Sequence, residues 1–508
     1  MLTRTLEKTT VPSHLHQKCL RQYSRSLYFI LLVFLLNTTV TGTDTATRPN
    51  IIFIFADDLA YDVLEVAGEQ QPRTPHLDDL ARSGVVFTHA YNQGGWHGAI
   101  CVASRSMLNT GRFLWHAQRM GKTTTDKRGG DKLWSQYFHD AGYTTFFSGK
   151  WHLQTDVTKV FDIVKHVRPG MPADTPASYD RPRKDDPWKA WDPAQGGYWQ
   201  GGKHWSEVLA SDACDFLKEE AQDNKPFFMY LAFNAPHDPR QAPKEFIDAY
   251  PLQDIAVPES FVPEYPYKDA IGCDAQLRDE RLAPFPRTPH AVQVHRQEYY
   301  AIISHLDQQI GRIIDAVKKS EYAENTLIIF SADHGLAVGN HGLLGKQNMF
   351  DHSMRVPFIL QGPGIEQGQH FSTPIYLQDV MPTALEFAEI EVPAHIQFRS
   401  LVPILRKQRA DHYDAIYGGY MQSQRMIIQD GFKLILYPTI RKILLFDLQT
   451  DPNELHNLAT SRKEKKRLQQ LFAALLNLQK ETGDTLDLQA IYPTLSRDTE
   501  AIRAGFSQ

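Results

Sequence analysis

The stretch Cys101-Val-Ala-Ser-Arg105, continuing to Thr110-Gly111-Arg112, sets a thiol one helical turn ahead of a guanidinium. The run reads as a helix that stops at Gly111. A helix start presents unpaired backbone N–H groups and the positive end of the helix dipole, so it suits an anion. Other ionisable residues recur in short groups after apolar runs: Asp57 and Asp58; Lys150 and His152; His237, with Asp238 and Arg240 beside it; Asp333 and His334; then Lys346 after a Gly/His loop. Their chemistry sorts cleanly. Asp57, Asp58 and Asp333 are hard oxygen ligands suited to Ca²⁺ or Mg²⁺, and His334 can join them. Lys150, Lys346 and Arg105 are cations. His152 and His237 can move protons near neutral pH. A divalent metal, three cations and two histidines around one nucleophile describe a site that transfers a tetrahedral oxyanion group, sulfate or phosphate.

The elements around these groups explain how they can meet. Runs at 51–55, 85–87, 143–147, 227–233, 326–330 and 356–360 read as strands, several of them apolar throughout, as strands buried on both faces are. Helices are expected at 74–84, 133–142, 206–220 and 298–319. Alternating strands and helices imply an α/β fold, a large, mostly parallel sheet sandwiched by helices. Ligands bind such sheets outside the carboxyl ends of the strands, which is where four of the groups lie. Two Pro-rich stretches, 166–205 and 251–290, read as long functional loops. The first combines Trp188, Trp191, Trp199 and Trp205 with Arg181, Arg183, Asp185 and Asp186, a mixture that suits a sulfated sugar or simply packs the loop. Asp238, Arg240, His97 and His116 are candidates for lining the leaving-group pocket.

From about residue 397 the pattern changes to short strands at 415–417, 425–428, 433–436 and 444–446, followed by a helix at 461–480. A smaller C-terminal antiparallel sheet plus helix is expected over 397–508, behind a catalytic domain at 48–396. Residues 1–42 read as a signal peptide: five basic residues, an apolar run at 27–36, then small and polar residues. The alternative for this segment is an uncleaved anchor. The expected address is periplasmic, cell-surface or extracellular, with no stable membrane partner. A formal net charge of −5 offers no basic footprint for nucleic acid. Four cysteines, one of them in the signal segment, are no disulfide framework, and Cys101 is left over if Cys214 and Cys273 pair.

Cys101-Val-Ala-Ser-Arg105 resembles the Cys-x-Pro-x-Arg signature of the formylglycine-dependent sulfatases of the alkaline phosphatase superfamily, among them bacterial polysaccharide sulfatases and members like iduronate sulfatase. Pro49-Asn50-Ile51 through Asp58, Gly149-Lys-Trp-His152, Ala235-Pro-His237, Asp333-His-Gly335 and the segment 417–458 also resemble family blocks, in the family's order. The resemblance spans about residues 48–480. It implies an alkaline-phosphatase-like fold and conversion of Cys101 to formylglycine (3-oxoalanine) by a formylglycine-generating or anaerobic sulfatase-maturating enzyme. One hydroxyl of the hydrated aldehyde would attack sulfur in line, His237 would protonate the leaving alcohol, and His152 would help the second hydroxyl expel sulfate. Asp57, Asp58, Asp333 and His334, with residue 101, would hold Ca²⁺, Mg²⁺ being the other option. Lys150, Lys346 and His237 would bind the sulfate. Ala103 stands where the signature usually has proline, and His334 where many members have asparagine.

The expected activity is therefore hydrolysis of a sulfate ester on a sulfated saccharide. Two other readings remain: a phosphonate or phosphate diester hydrolase on the same scaffold, and a non-catalytic glycan-binding protein with unconverted Cys101.

Overall fold

Apolar runs with no polar face must be covered on both sides, and the strands obey this. In the computed structural model β1 (Asn50–Ala56), β5 (Phe227–Ala232) and β6 (Thr326–Ala332) are buried at every position. The structure describes residues 48–65, 72–120, 132–221 and 225–496; the expected signal segment lies outside the described residues. The other strands of this sheet are β2 (Val85–Phe87), β3 (Thr144–Lys150), β4 (Ile163–Arg168), β7 (Phe358–Gln361) and β8 (Gln369–Phe371). Their order is β8-β2-β7-β6-β1-β5-β3-β4. Every neighbouring pair is parallel except the two made by β7, which runs against β2 and β6. At the centre Phe53 lies level with Tyr230 and Ile329. The expected α/β class and mostly parallel sheet are thus what the chain adopts.

Helices cover the sheet. α1 (Pro75–Arg82) buries Leu77, Leu80 and Ala81, as its spacing requires. α2 (Ile100–Thr110) ends on Gly111, whose φ of 66° places it in the left-handed region and whose N–H donates to Met107 O. α3 (Trp205–Asp215) packs against α4 (Pro289–Lys319). α4 begins nine residues earlier than the 298 expected from apolar spacing. Thr288 caps it, accepting from Ala291 N at 3.1 Å, and its first turns bury His295 and Glu298, polar residues that break the apolar period.

Glu298 explains the first long loop. Arg181 forks onto both Glu298 oxygens at 2.9 and 2.6 Å, bonds Asp186, and stacks on Trp188. Arg183 donates to backbone carbonyls of its own loop. Arg181 anchors the loop to α4, so the packing alternative holds for Arg181 and Trp188. β4 lies at the start of this stretch as a half-exposed edge strand, which the sequence pattern did not reveal.

The C-terminal antiparallel sheet has β9 (Ile416–Tyr420), β10 (Gln424–Gln429), β11 (Phe432–Tyr437) and β12 (Lys442–Asp447), covered by α5 (Lys465–Thr482). α5 buries Leu468, Leu471, Phe472, Leu475 and Leu476. A fifth strand, Gly94–Gly95, pairs in parallel with β9. Only glycine fits there: Gly94 has φ of 93°, and a Cβ would lie 2.2 Å from Gly419 O. No helix among the described residues is long and apolar enough to cross a membrane. Cys101, Cys214 and Cys273 are all free thiols.

Candidate active site

The carboxyl ends of β1, β3, β5 and β6 converge. Asp57 N–H donates to Ala235 O at 3.1 Å, and Asp333 N–H to Ala56 O at 3.2 Å, so backbone bonds tie the strand ends together. Asp58 adopts φ of 67°, a left-handed conformation aspartate tolerates, and its N–H donates to Asp333 Oδ1 at 3.2 Å. Lys150, the last residue of β3, donates to Asp57 Oδ2 at 2.5 Å. Lys346 Nζ donates to both oxygens of Asp58. All these side chains are buried. Carboxylates at such depth are tolerable only when cations face them.

Cys101 sits in the first turn of α2, buried and unpaired. Burial alone would push its thiol up, but Lys150, Lys346 and the close approach of His152 and His334 hold it well below the usual range. Burial would likewise lower His334, yet Asp333 and Asp58 beside it raise it to about 9. For Asp57, burial and the neighbouring Asp333 push the carboxyl up against the pull of Lys150. Metal-ligating atoms of Asp57, Cys101, Asp333 and His334 all lie within 4.8 Å of one another, and those of Asp57, Asp58 and His237 form a second such group. Asp57 Oδ1 is buried without a hydrogen-bond partner, with Arg105 NH2 3.7 Å away, and could serve as a ligand to a cation in this cluster.

The remaining expected residues divide by position. His237 is buried, donates from Nδ1 to Asp238 O at 2.7 Å, and brings Nε2 to 3.8 Å from Asp58 Oδ2. His152, with φ of 59°, borders Cys101; its ring lies against Gly170, where a Cβ would come within 2.4 Å. Arg105 points behind the carboxylates: Nε donates to Asp333 Oδ2 at 3.1 Å and NH1 to Lys150 O at 2.9 Å, with no exposed surface. It therefore orients Asp333 and Lys150. Arg240 is buried with NH1 3.3 Å from His295 Nδ1. His97 is half-buried within electrostatic reach of Cys101, whereas His116 bonds Gln397.

Two residues escaped the sequence reading. Arg278 forks onto Asp238 and also binds Asp279. Asp279 accepts from Gln347 at 2.8 Å and lies 3.8 Å from Lys346 Nζ. Arg278 and Asp279 come from the second Pro-rich loop, which has no periodicity to reveal which side chains turn inward.

A sulfatase family model matches residues 49–390, and one for the C-terminal region of N-sulphoglucosamine sulphohydrolase matches 339–481. An arylsulfatase of Clostridium perfringens is 28% identical over 84% of this chain and 94% of its own length. An N-acetylglucosamine-6-O-sulfatase of Bacteroides thetaiotaomicron is 26% identical, covering 86% and 87%. Two solved structures share the fold. One, in complex with its substrate D-glucosamine-2-N,6-O-disulfate, has a TM-score of 0.69 at 24% identity over 86% of this chain and 99% of that one. A phosphonate monoester hydrolase of Agrobacterium radiobacter also has a TM-score of 0.69, at 21% identity over 86% and 96%. With the family model covering most of the chain and the strand-end cluster lying inside its match, this chain belongs to the sulfatase family.

Proposed function

We propose that the protein hydrolyses the sulfate ester of a sulfated carbohydrate, giving the free alcohol and sulfate. The observation that carries this reading is the meeting of Cys101 with Asp57, Asp333 and His334 inside one 4.8 Å cluster faced by two buried lysines. Converted to formylglycine, residue 101 would supply a hydrated aldehyde as the nucleophile. A divalent cation, Ca²⁺ or Mg²⁺, would be held by Asp57, Asp58, Asp333, His334 and residue 101, and would supply charge neutralisation for a sulfate oxygen. The residue types fit it: three carboxylates, one with an Asp57 oxygen that makes no hydrogen bond, are a hard-cation donor set.

The chain's own groups take the other roles. Lys150 and Lys346 bind sulfate oxygens. His237 gives a proton to the leaving oxygen, and His152, beside residue 101, takes one from that residue's second hydroxyl. Arg105 keeps Asp333 and the Lys150 backbone in register. Residues 48–396 would form the catalytic domain and 397–508 the C-terminal subdomain. Export by the 1–42 segment and conversion of Cys101 by a maturation enzyme complete the proposal. Relatives named for sulfated sugars support a carbohydrate as the alcohol.

Peptide mass spectrometry at residue 101 tests the reading. The expected result is the mass loss of a thiol exchanged for an aldehyde, together with sulfate release that Cys101→Ala abolishes. An unmodified thiol in protein that cleaves no sulfate ester would sink it and favour a glycan-binding role. The phosphonate monoester hydrolase fold supports a second reading, a phosphonate or phosphodiester hydrolase. Paired kinetics on aryl sulfate and aryl phosphodiester separate the two, and a strong preference for the diester would select it.

A further inference from the structure

Trp96, five residues before Cys101, borders a cavity of about 190 Å³ that the proposed chemistry does not use. Trp96, Trp115, Arg119, Met421, Arg425 and Asp484 are among its lining residues. Part of the lining is held by a network of hydrogen bonds. Trp115 Nε1 donates to Tyr417 OH at 2.7 Å, and Tyr417 OH donates to Asp484 Oδ2 at 2.9 Å. Arg425 forks onto both Asp484 oxygens at 2.6 and 2.8 Å, and its guanidinium lies 4.8 Å from the centre of the Trp115 ring. The charges of Arg425 and Asp484 thus satisfy each other.

The rim differs. Trp96 is half-buried, Met421 is 43% exposed, and Arg119 is exposed, with NH1 donating to Gly483 O at 3.1 Å. Two arginines face one aspartate, so the lining is cationic on balance. Flat apolar faces beside a guanidinium match the C–H face of a sugar ring that carries an acidic substituent. The volume is below the roughly 300–1,000 Å³ of pockets that hold whole ligands, which leaves room for one ring.

The rim is tied to the segment that leads to Cys101. Met421 N–H donates to Gly95 O at 2.9 Å, fixing the rim to the segment that leads into α2. His97, the residue after Trp96, packs edge-on against it at 6.0 Å and lies within electrostatic reach of Cys101 and His152.

We propose that this cavity is an oligosaccharide subsite. It takes the pyranose unit adjoining the one whose sulfate is removed, with the ring on Trp96 and Met421 and the acidic substituent on Arg119. This deepens the sulfated-carbohydrate reading and rests on it.

The test uses the matured full chain, Trp96→Ala and Arg119→Ala. The probes are 4-nitrophenyl sulfate and a panel of sulfated disaccharides and tetrasaccharides from heparin, chondroitin sulfate and carrageenan. On the best oligosaccharide, kcat/KM should fall about tenfold or more in both variants, mainly through KM, while the aryl sulfate changes by less than about twofold. An equal fall on both substrate types, or no fall on oligosaccharides, overturns the subsite. Wild-type protein that cleaves the aryl sulfate but no oligosaccharide overturns it too, and leaves the sulfatase activity standing. If the wild type cleaves no sulfate ester, the reading above fails. The subsite is then judged by titration calorimetry with the same oligosaccharides: binding lost in Arg119→Ala supports it, and equal or absent binding overturns it.

Discussion

Lys346 Nζ reaches both carboxylate oxygens of Asp58, at 2.9 and 2.8 Å, across 288 residues of chain. Both side chains are buried, so each is the other's main compensation for leaving water.

Lys346→Ala should therefore destabilise the metal-free protein by about 3–5 kcal/mol, the usual cost of stranding a buried charge. Denaturant unfolding in EDTA measures it. Added Ca²⁺ should recover much of the loss, because the cation would meet the stranded carboxylate. Recovery with Na⁺ alone would argue against a divalent site.

Arg105→Lys should fold yet lose activity. A lysine has one donor group and cannot span Asp333 Oδ2 and Lys150 O as the guanidinium does. The expected drop in kcat is about 10²-fold, with circular dichroism unchanged. Unchanged turnover would show that the orientation of Asp333 does not matter to the reaction.

Asp307 gives a pH signature outside the site. It accepts from His76 N and Leu77 N at the start of α1, and burial, with Asp78 and Asp79 nearby, pushes its carboxyl up to about 7. The native state then holds this proton where the unfolded chain, titrating near 3.8, has released it. Its contribution is full below about pH 4, declines as pH rises, and is gone above about pH 8, a change of the order of 4 kcal/mol. Asp307→Asn, which cannot titrate, should flatten unfolding free energy between pH 5 and 8 relative to wild type. Identical slopes would place the carboxyl back in the normal range.

Gly94→Ala should cost about 1–3 kcal/mol, since the backbone is left-handed and the new Cβ meets Gly419 O. Hydrogen exchange should show faster opening in β9, the strand that Gly94–Gly95 pairs with. Loss confined to other strands would place the strain elsewhere.

The central strands were legible because burial on both faces leaves only apolar residues, as in Ile51 to Phe55. The charged groups at their ends stood out for the converse reason: Asp57, Asp58 and Asp333 have no place beside such runs unless something neutralises them. The start of α4 was not legible. His295 and Glu298 are buried there by partners distant in sequence, Arg240 and Arg181, and a periodicity of apolar residues cannot register a polar residue that is buried by pairing. Gly94–Gly95 carried no strand signal either, since two residues become a strand only when β9 lies alongside.

By itself, the sequence determined the α/β layering, the antiparallel C-terminal sheet and the set of ionisable residues gathered at the strand ends, because hydrophobic period and strand-end position are local properties. Tertiary structure alone decided what each group faces. It turned Arg105 onto Asp333, pinned Asp238 with Arg278 from a distant loop, and set Trp96 beside Met421. Those pairings depend on which loops share space, and the free energy of a buried charge or an exposed ring depends on the partner across that space.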